Sequence, residues 1–250
     1  MRVLFKYQPA DRILREIHAG IGKVAGSMDT KSIWRAEKQI FAVYSPWNHR
    51  LRTPFALTAA EQLSAGKKVL YLNFSICNGF CKSMGLEPDV DMGDLFYLLR
   101  EDEEALLAKL KSGIYPLGSY QIIPPPSNPE HYMEWRKGEV RHFLEILLEK
   151  TDFEVLVLDM GCVMNGFFEV LDLCGRIWIL KEHRTSKDSG IEELRELLEK
   201  FKAGLEERVE EVFLPGGQAW REDGTIQVEE FYMGEVGNCV RRLLGGEYAS

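Results

Sequence analysis

Ile40-Phe-Ala-Val-Tyr-Ser-Pro-Trp-Asn-His-Arg-Leu-Arg-Thr-Pro-Phe-Ala-Leu57 is the stretch on which the reading of this chain turns. Its apolar start, with Gln39–Tyr44, reads as a strand. Its end opens a helix over Thr53–Ser64, with Pro54 in the first turn, where a missing N–H costs nothing. Lys68–Phe74 then reads as a second strand. Strand, loop, helix and strand in this order make the frame of a nucleotide-binding βαβ unit. A loop that cradles phosphate needs glycines, so that the backbone can approach the anion and present its N–H groups. No glycine lies between Ser45 and Thr53; Pro46, Trp47, Asn48, His49, Arg50 and Leu51 stand there instead. The outline is that of a phosphate-binding loop without its chemistry.

Outward from this stretch, short apolar runs alternate with helical patterns. Asp91–Arg100 and Glu103–Lys111 read as helices with acidic starts, which suit the positive end of the helix dipole. Tyr120–Ile123 is a short strand ending in Pro124-Pro125-Pro126, and Pro129–Glu149 a long amphipathic helix. Glu154–Asp159, Arg176–Leu180 and Val209–Leu214 read as strands. Phe167–Leu173, Ser189–Lys202 and Gly234–Leu244 read as helices. Val69–Phe74, Val155–Leu158 and Ile177–Leu180 are apolar without alternation, as strands covered on both faces are. The expected fold is a three-layer α/β/α arrangement around a mostly parallel sheet. Residues 38–250 form that domain, and residues 1–37 a strand–helix stub (Val3–Tyr7, Ala10–Ala19) with a loose connection.

With 250 residues, 45% hydrophobic and 28% charged, the chain is ordinary for a globular protein with one large core. A net charge of -8 supplies no overall basic field, which argues against general nucleic-acid binding. No apolar run reaches the roughly 18–20 residues that a membrane helix needs, and Cys239–Leu244 is too short a helix to anchor one. The N-terminus lacks the apolar core of a signal peptide, so a cytoplasmic location is expected. The five cysteines show no zinc spacing and read as reduced thiols, with Cys77 and Cys81 facing one another if their segment is helical.

The order of elements, closing in a strand that ends Asp159-Met160-Gly161, resembles the MinD/ParA-type deviant Walker ATPases. Among them it is most similar to the CpaE/TadZ branch, in which a receiver-like domain precedes an often atypical ATPase domain. The resemblance covers roughly residues 38 to 245. That family carries a KGGxGKT loop. Arg52 falls on its catalytic lysine and Thr53 on its magnesium-binding Ser/Thr, while Asn48, His49 and Leu51 fall on glycines. Ser45 is read at the leading lysine that reaches across a dimer. Asn73 replaces the acid at the end of the second strand. The switch survives as Asp159-Met160-Gly161, and Lys6 matches the lysine that ends the last strand of a receiver domain. On that likeness Met1 is an internal or truncated start.

The resemblance implies a P-loop NTPase-like fold with a degenerate nucleotide site. Its cofactor-binding residues would be Asn48, His49, Arg50, Leu51, Arg52, Thr53, Pro54, Asp159, Gly161 and Pro215, with magnesium on Thr53 and Asp159. No residue is assigned to catalysis. Two readings stay open for Arg52 and Thr53: residual ATP binding, for which the helix N-terminus still attracts anions, or a collapsed loop with Arg52 in a surface ion pair. Asp159 either contacts magnesium or water at the sheet edge, or caps the following turn. Pro215-Gly216-Gly217 lies where relatives hold adenine, or is a plain turn. Trp47 either stacks on a purine or plugs the empty phosphate site, and the plug is favoured. His49 is a loop filler. Glu182, Asp188, Glu206, Glu207, Glu210 and Glu211 read as solvated charges.

What the resemblance implies for function is a pseudo-ATPase that homodimerises and localises a pilus or secretion assembly, holding ATP with magnesium, if at all, as a structural ligand. The alternative is a slow magnesium-dependent ATPase acting as a positional switch in chromosome, septum or pilus placement. Partners are then proteins, with no specific nucleic acid and no stable membrane insertion. Location would be cytoplasmic, with polar placement through partners.

Overall fold

The computed structural model describes residues 38–47, 49–76, 79–181, 189–214 and 228–245. The stub over residues 1–37, with Lys6, lies outside them, as do Cys77, Asn48, Glu182, Asp188 and Pro215. The strands are β1 (Gln39–Tyr44), β2 (Val69–Phe74), β3 (Tyr115–Leu117), β4 (Tyr120–Ile123), β5 (Val155–Met160), β6 (Arg176–Lys181) and β7 (Val209–Phe213). The helices are α1 (Arg52–Ser64), α2 (Phe80–Ser83), α3 (Met92–Glu101), α4 (Glu103–Gly113), α5 (His131–Glu134), α6 (Glu139–Lys150), α7 (Phe167–Leu173), α8 (Ser189–Phe201), α9 (Val228–Met233) and α10 (Glu235–Leu244), with a 3-10 turn at Leu205–Arg208.

Among the described residues one sheet runs β3-β4-β2-β5-β1-β6-β7. Every neighbouring pair is parallel except β3 with β4. The expected three-layer fold with a mostly parallel sheet is the fold observed. Side chains alternate between its faces with the period of two that a strand imposes. Phe41, Val43, Tyr71, Val155, Val157, Trp178 and Leu180 go to the layer of α1 and α10. Ile40, Ala42, Leu70, Leu72, Leu156, Leu158, Ile177 and Ile179 go to the layer of α3, α4, α6, α7 and α8. Helix α1 buries all its residues but Glu61 and Ser64, because it is covered by the sheet on one side and by α10 on the other. Gln62 Nε2 donates to the Gly237 carbonyl of α10 at 2.9 Å.

The centre of the sheet sets the stage for a site. Strands β2, β5 and β1 lie side by side with flush carboxyl ends, since Met160 pairs with both Tyr44 and Phe74. The β1–α1 loop therefore opens directly over the ends of β2 and β5, the edge at which parallel α/β sheets gather ligands.

The structure corrects several boundaries. The long helix expected over Pro129–Glu149 is two helices, α5 and α6. Trp135 leaves helical geometry (φ -66, ψ 130) and is buried, stacked on Phe96 at 3.9 Å between centroids. Gly138 then takes φ +87 to start α6, a conformation that favours glycine. Burial of one aromatic ring thus outweighs the helical periodicity. The edge strand β3, which periodicity missed, has three residues and contains Pro116, a residue tolerated only where no ladder partner needs its N–H. Among the described residues the other expected strands and helices stand within a residue or two. Asp91 caps α3 in a reciprocal capping box with Asp94.

Arg100 of α3 grips Glu139 of α6 through Nε and Nη2, at 2.9 and 2.8 Å. That hydrogen bonding holds the Glu139 carboxyl below its ordinary value. A depressed carboxyl contributes stability that is complete above the unfolded value of about 4.3 and is lost as pH falls through the lower, folded value. Glu139→Gln is therefore expected to cost up to about 1 kcal/mol at neutral pH. The cost should vanish in the acid below that window, as read by urea denaturation across pH.

Among the described residues no helix is long and apolar enough to cross a membrane. The four described cysteines are free thiols, Cys174 and Cys239 buried, Cys81 and Cys162 half-buried. Helix α2 begins only at Phe80.

Candidate functional site

Three polar residues stand at a period of two along β2 and just past its end: Tyr71, Asn73 and Ser75. They share the α1 face of the sheet. In register beside Asn73 lies Asp159 of β5, and beside Asp159 lies Val43 of β1. Asp159 is fully buried. It is a strand residue, and its carboxylate caps none of the described helices. Its carboxylate is enclosed by donors. Oδ1 accepts Arg52 Nε at 2.5 Å. Oδ2 accepts the Thr53 hydroxyl at 2.6 Å, the Tyr71 hydroxyl at 2.9 Å and, at a long 3.5 Å, Asn73 Nδ2.

Arg52 opens α1, yet its side chain does not leave the protein. The guanidinium folds back over the end of the sheet, donates Nη2 to Ser75 Oγ at 2.7 Å, and leaves only 6% of the side chain exposed. The expected ion pair exists, but it is buried rather than on the surface. Burial alone would lower the guanidinium; the charge and hydrogen bond of Asp159 more than offset it and hold the group above its ordinary value. Arg52 is therefore a permanent cation. Burial first, then the neighbouring carboxylate, hold the Tyr71 hydroxyl well above its usual range, so it stays a donor. Burial likewise pushes the nearby Cys162 thiol up to about 11.

Gly161 completes the enclosure. A Cβ there would stand 2.5 Å from Arg52 Nη2 and closer still to Ser75 Oγ. Its own N–H donates to the Phe74 carbonyl at 2.9 Å and ties the end of β5 to the end of β2.

The rest of the loop turns its donors inward. The His49 ring accepts the Leu51 N–H through Nδ1 at 3.1 Å, and the His49 carbonyl accepts the Arg52 N–H at 2.9 Å. His49 is thus more than the filler read from sequence: it closes the entry to α1. Pro54 has no N–H, and both Leu51 and Pro54 are buried. Arg50 is exposed. Trp47 is 53% exposed, so it does not plug the phosphate site. Counted back from Arg52–Thr53, the seven-residue family loop begins at Trp47 rather than Ser45. Ser45 is buried, its hydroxyl without a hydrogen-bond partner, and is in no position to reach another molecule.

Of the residues expected at the site, the structure gathers Arg52, Thr53, Asp159 and Gly161. Tyr71 and Ser75 belong with them and were missed, although their spacing with Asn73 was visible. These residues do not fit magnesium-bound ATP as they stand. A guanidinium occupies the carboxylate that would face the metal. Two loop N–H groups that a phosphate would need are satisfied by His49. Among the described residues no group of three or more His, Cys, Asp or Glu could hold a metal ion.

No family model matches the chain, and no curated protein does. Solved structures do. A ParA family ATPase from Chlorobium tepidum is 16% identical, with 83% of this chain and 81% of that one covered and a TM-score of 0.57. A plasmid partition protein from Borrelia burgdorferi is 12% identical over 84% and 99%, with a TM-score of 0.56. The MinC:MinD cell division protein complex of Aquifex aeolicus is 15% identical over 78% and 76%, with a TM-score of 0.52. At these identities the likeness is one of fold, and the fold is the P-loop NTPase-like α/β/α sandwich of ParA and MinD proteins.

Proposed function

We propose that this chain is a non-hydrolysing positioning protein built on the ParA/MinD fold, a pseudo-ATPase akin to the CpaE/TadZ factors. It homodimerises through packing rather than through shared nucleotide, and it marks a place in the cytoplasm, at a pole or elsewhere, for a pilus or secretion assembly. The observation that carries the reading is the buried Arg52–Asp159 pair. Phosphoryl transfer requires a cation over the phosphates, a metal held by a hydroxyl and a carboxylate, and a positioned water. Here the cation and the hydroxyl both bond to the carboxylate. A protein so closed keeps the scaffold and surfaces of the fold without the cycle.

Thr53 and Asp159 lie 2.6 Å apart, side by side where magnesium would be held. That juxtaposition favours the second reading, a slow magnesium-dependent ATPase acting as a positional switch. It would require Arg52 to swing off Asp159 whenever ATP with magnesium enters.

Calorimetry of ATP against the full chain, with and without magnesium, separates the two. No binding heat at millimolar ATP and no turnover is the expected result. Magnesium-dependent binding at micromolar affinity would overturn the closed-site reading, and magnesium-dependent turnover by the full chain would establish the switch.

A further inference from the structure

Residues of α3, α4 and α5 line a cavity of about 410 Å³, within the range of about 300–1,000 Å³ that small-molecule sites occupy. It belongs to the helical layer on the far side of the sheet from α1, away from the buried Arg52–Asp159 pair. Its base is rigid. Phe96 of α3 and Trp135, just past α5, are stacked at 3.9 Å between centroids and are each 1% exposed. Next to Phe96 in the same lining, Tyr97 is 65% exposed, so one aromatic ring stands open to an occupant.

Two of the charged residues in the lining are already committed. Arg100 Nε and Nη2 hold Glu139, and Nη2 also donates to the Glu134 carbonyl at 2.8 Å. Asp94 accepts the Asp91 N–H at 3.0 Å in the first turn of α3, where the helix dipole favours a negative charge. Lys109 of α4 and Glu134 of α5 remain. Both are exposed, and neither side chain has a hydrogen bond or ion pair among the described residues. One turn before Glu134, His131 Nδ1 is shut off from solvent against Gly93 and has no hydrogen-bond partner. Such an orphan is rare in a folded protein and asks for a water or an ion. The charges left over are thus one cation from α4 and one anion from α5, in a cavity whose reachable apolar surface comes from α3. An occupant with a single charge would meet a like charge on one of these helices. An occupant with both charges would meet an opposite one on each.

We propose that this cavity binds a small zwitterion of the ω-amino acid class. Its ammonium pairs with Glu134, its carboxylate pairs with Lys109, and its apolar frame lies along Tyr97 and Leu98. Because the two free charges come from different helices, the ammonium and carboxylate stand at opposite ends of that frame rather than on one carbon. The site uses none of the residues of the buried pair and stands whether or not ATP binds.

The test is a ligand-observed NMR titration of the full chain with ε-aminocaproate, hexylamine, caproate and glycine. The first is expected to bind with a Kd of about 1 mM or tighter, which is within reach of so few heavy atoms. Hexylamine and caproate each lack one charge, and glycine lacks the frame, so each should bind at least tenfold more weakly. Glu134→Gln should remove the preference for ε-aminocaproate over caproate, and Lys109→Gln its preference over hexylamine, a crossed pattern that general surface adhesion does not produce. Tyr97→Ala should weaken ε-aminocaproate without reversing either preference. All three side chains are exposed, and thermal melts of the variants should match that of the parent chain. No binding of ε-aminocaproate at tens of millimolar, equal binding of hexylamine or caproate, or survival of both preferences in the Glu134 and Lys109 variants would each overturn the proposal.

Discussion

Arg52→Ala is expected to destabilise the fold by about 3–5 kcal/mol, the usual effect of removing one partner from a buried ion pair. The magnitude follows from what is left behind. Asp159 is wholly enclosed, and its carboxylate faces Thr53, Tyr71 and Asn73, none of which carries charge. Without the guanidinium the carboxylate is a buried charge without a counter-charge. Asp159→Asn in the same background removes that charge and should recover much of the loss, so the two changes together cost less than their sum. Arg52→Lys keeps the charge but cannot reach Asp159 and Ser75 at once in the planar fork that Arg uses, and should fall between. Urea denaturation of the wild type, Arg52→Ala, Asp159→Asn and the double variant gives the cycle, with Arg52→Lys measured beside them. A loss below about 1 kcal/mol in Arg52→Ala would mean that the loop is not held by this pair, and with it the case for a closed site would fall.

Gly161→Ala is expected to cost about 1–3 kcal/mol or more, from a single added methyl group, because well-packed interiors resist overpacking. The added carbon would meet Ser75 Oγ, Ser75 Cβ at 2.6 Å and Arg52 Nη2 at 2.5 Å, so it acts as a wedge between β5, β2 and the guanidinium. Ser75→Ala beside it removes only the nearest atom and should restore part of the loss; Ser75→Gly should restore more, less the intrinsic cost of a glycine. Denaturant midpoints of these variants read the effect. Unchanged stability in Gly161→Ala would mean that Arg52 has room to move, which is what the switch reading needs.

The two variants also show where sequence reading stopped. Arg52, Thr53, Asp159 and Gly161 were legible as a group through the family resemblance, which puts the first two at the start of the helix after β1 and the last two at the end of β5. That Tyr71 and Ser75 join them was legible only in part. Their period of two with Asn73 marks a polar stripe on one face of β2, but nothing local says that Asp159 is its target. Trp47 was misjudged because an aromatic side chain beside an empty pocket fills it as readily on paper as it turns away. The long helix over Pro129–Glu149 was misjudged because periodicity records which residues are apolar, not whether one of them must leave the helix to stack on Phe96.

The sequence by itself determined the layers: apolar runs without alternation become buried parallel strands, and amphipathic or capped segments become their cover. These are local consequences of burial and backbone geometry, and β1, β4 and α7 appear with the bounds that were read. It determined also that no glycine lies between Ser45 and Thr53. Only the tertiary structure decided what became of the charge at Arg52. Whether a guanidinium points to solvent, to a phosphate or to a carboxylate 107 residues away depends on the register of β5 against β2 and β1. That register is a long-range property, set by the packing of the whole sheet, and no local pattern around Arg52 encodes it.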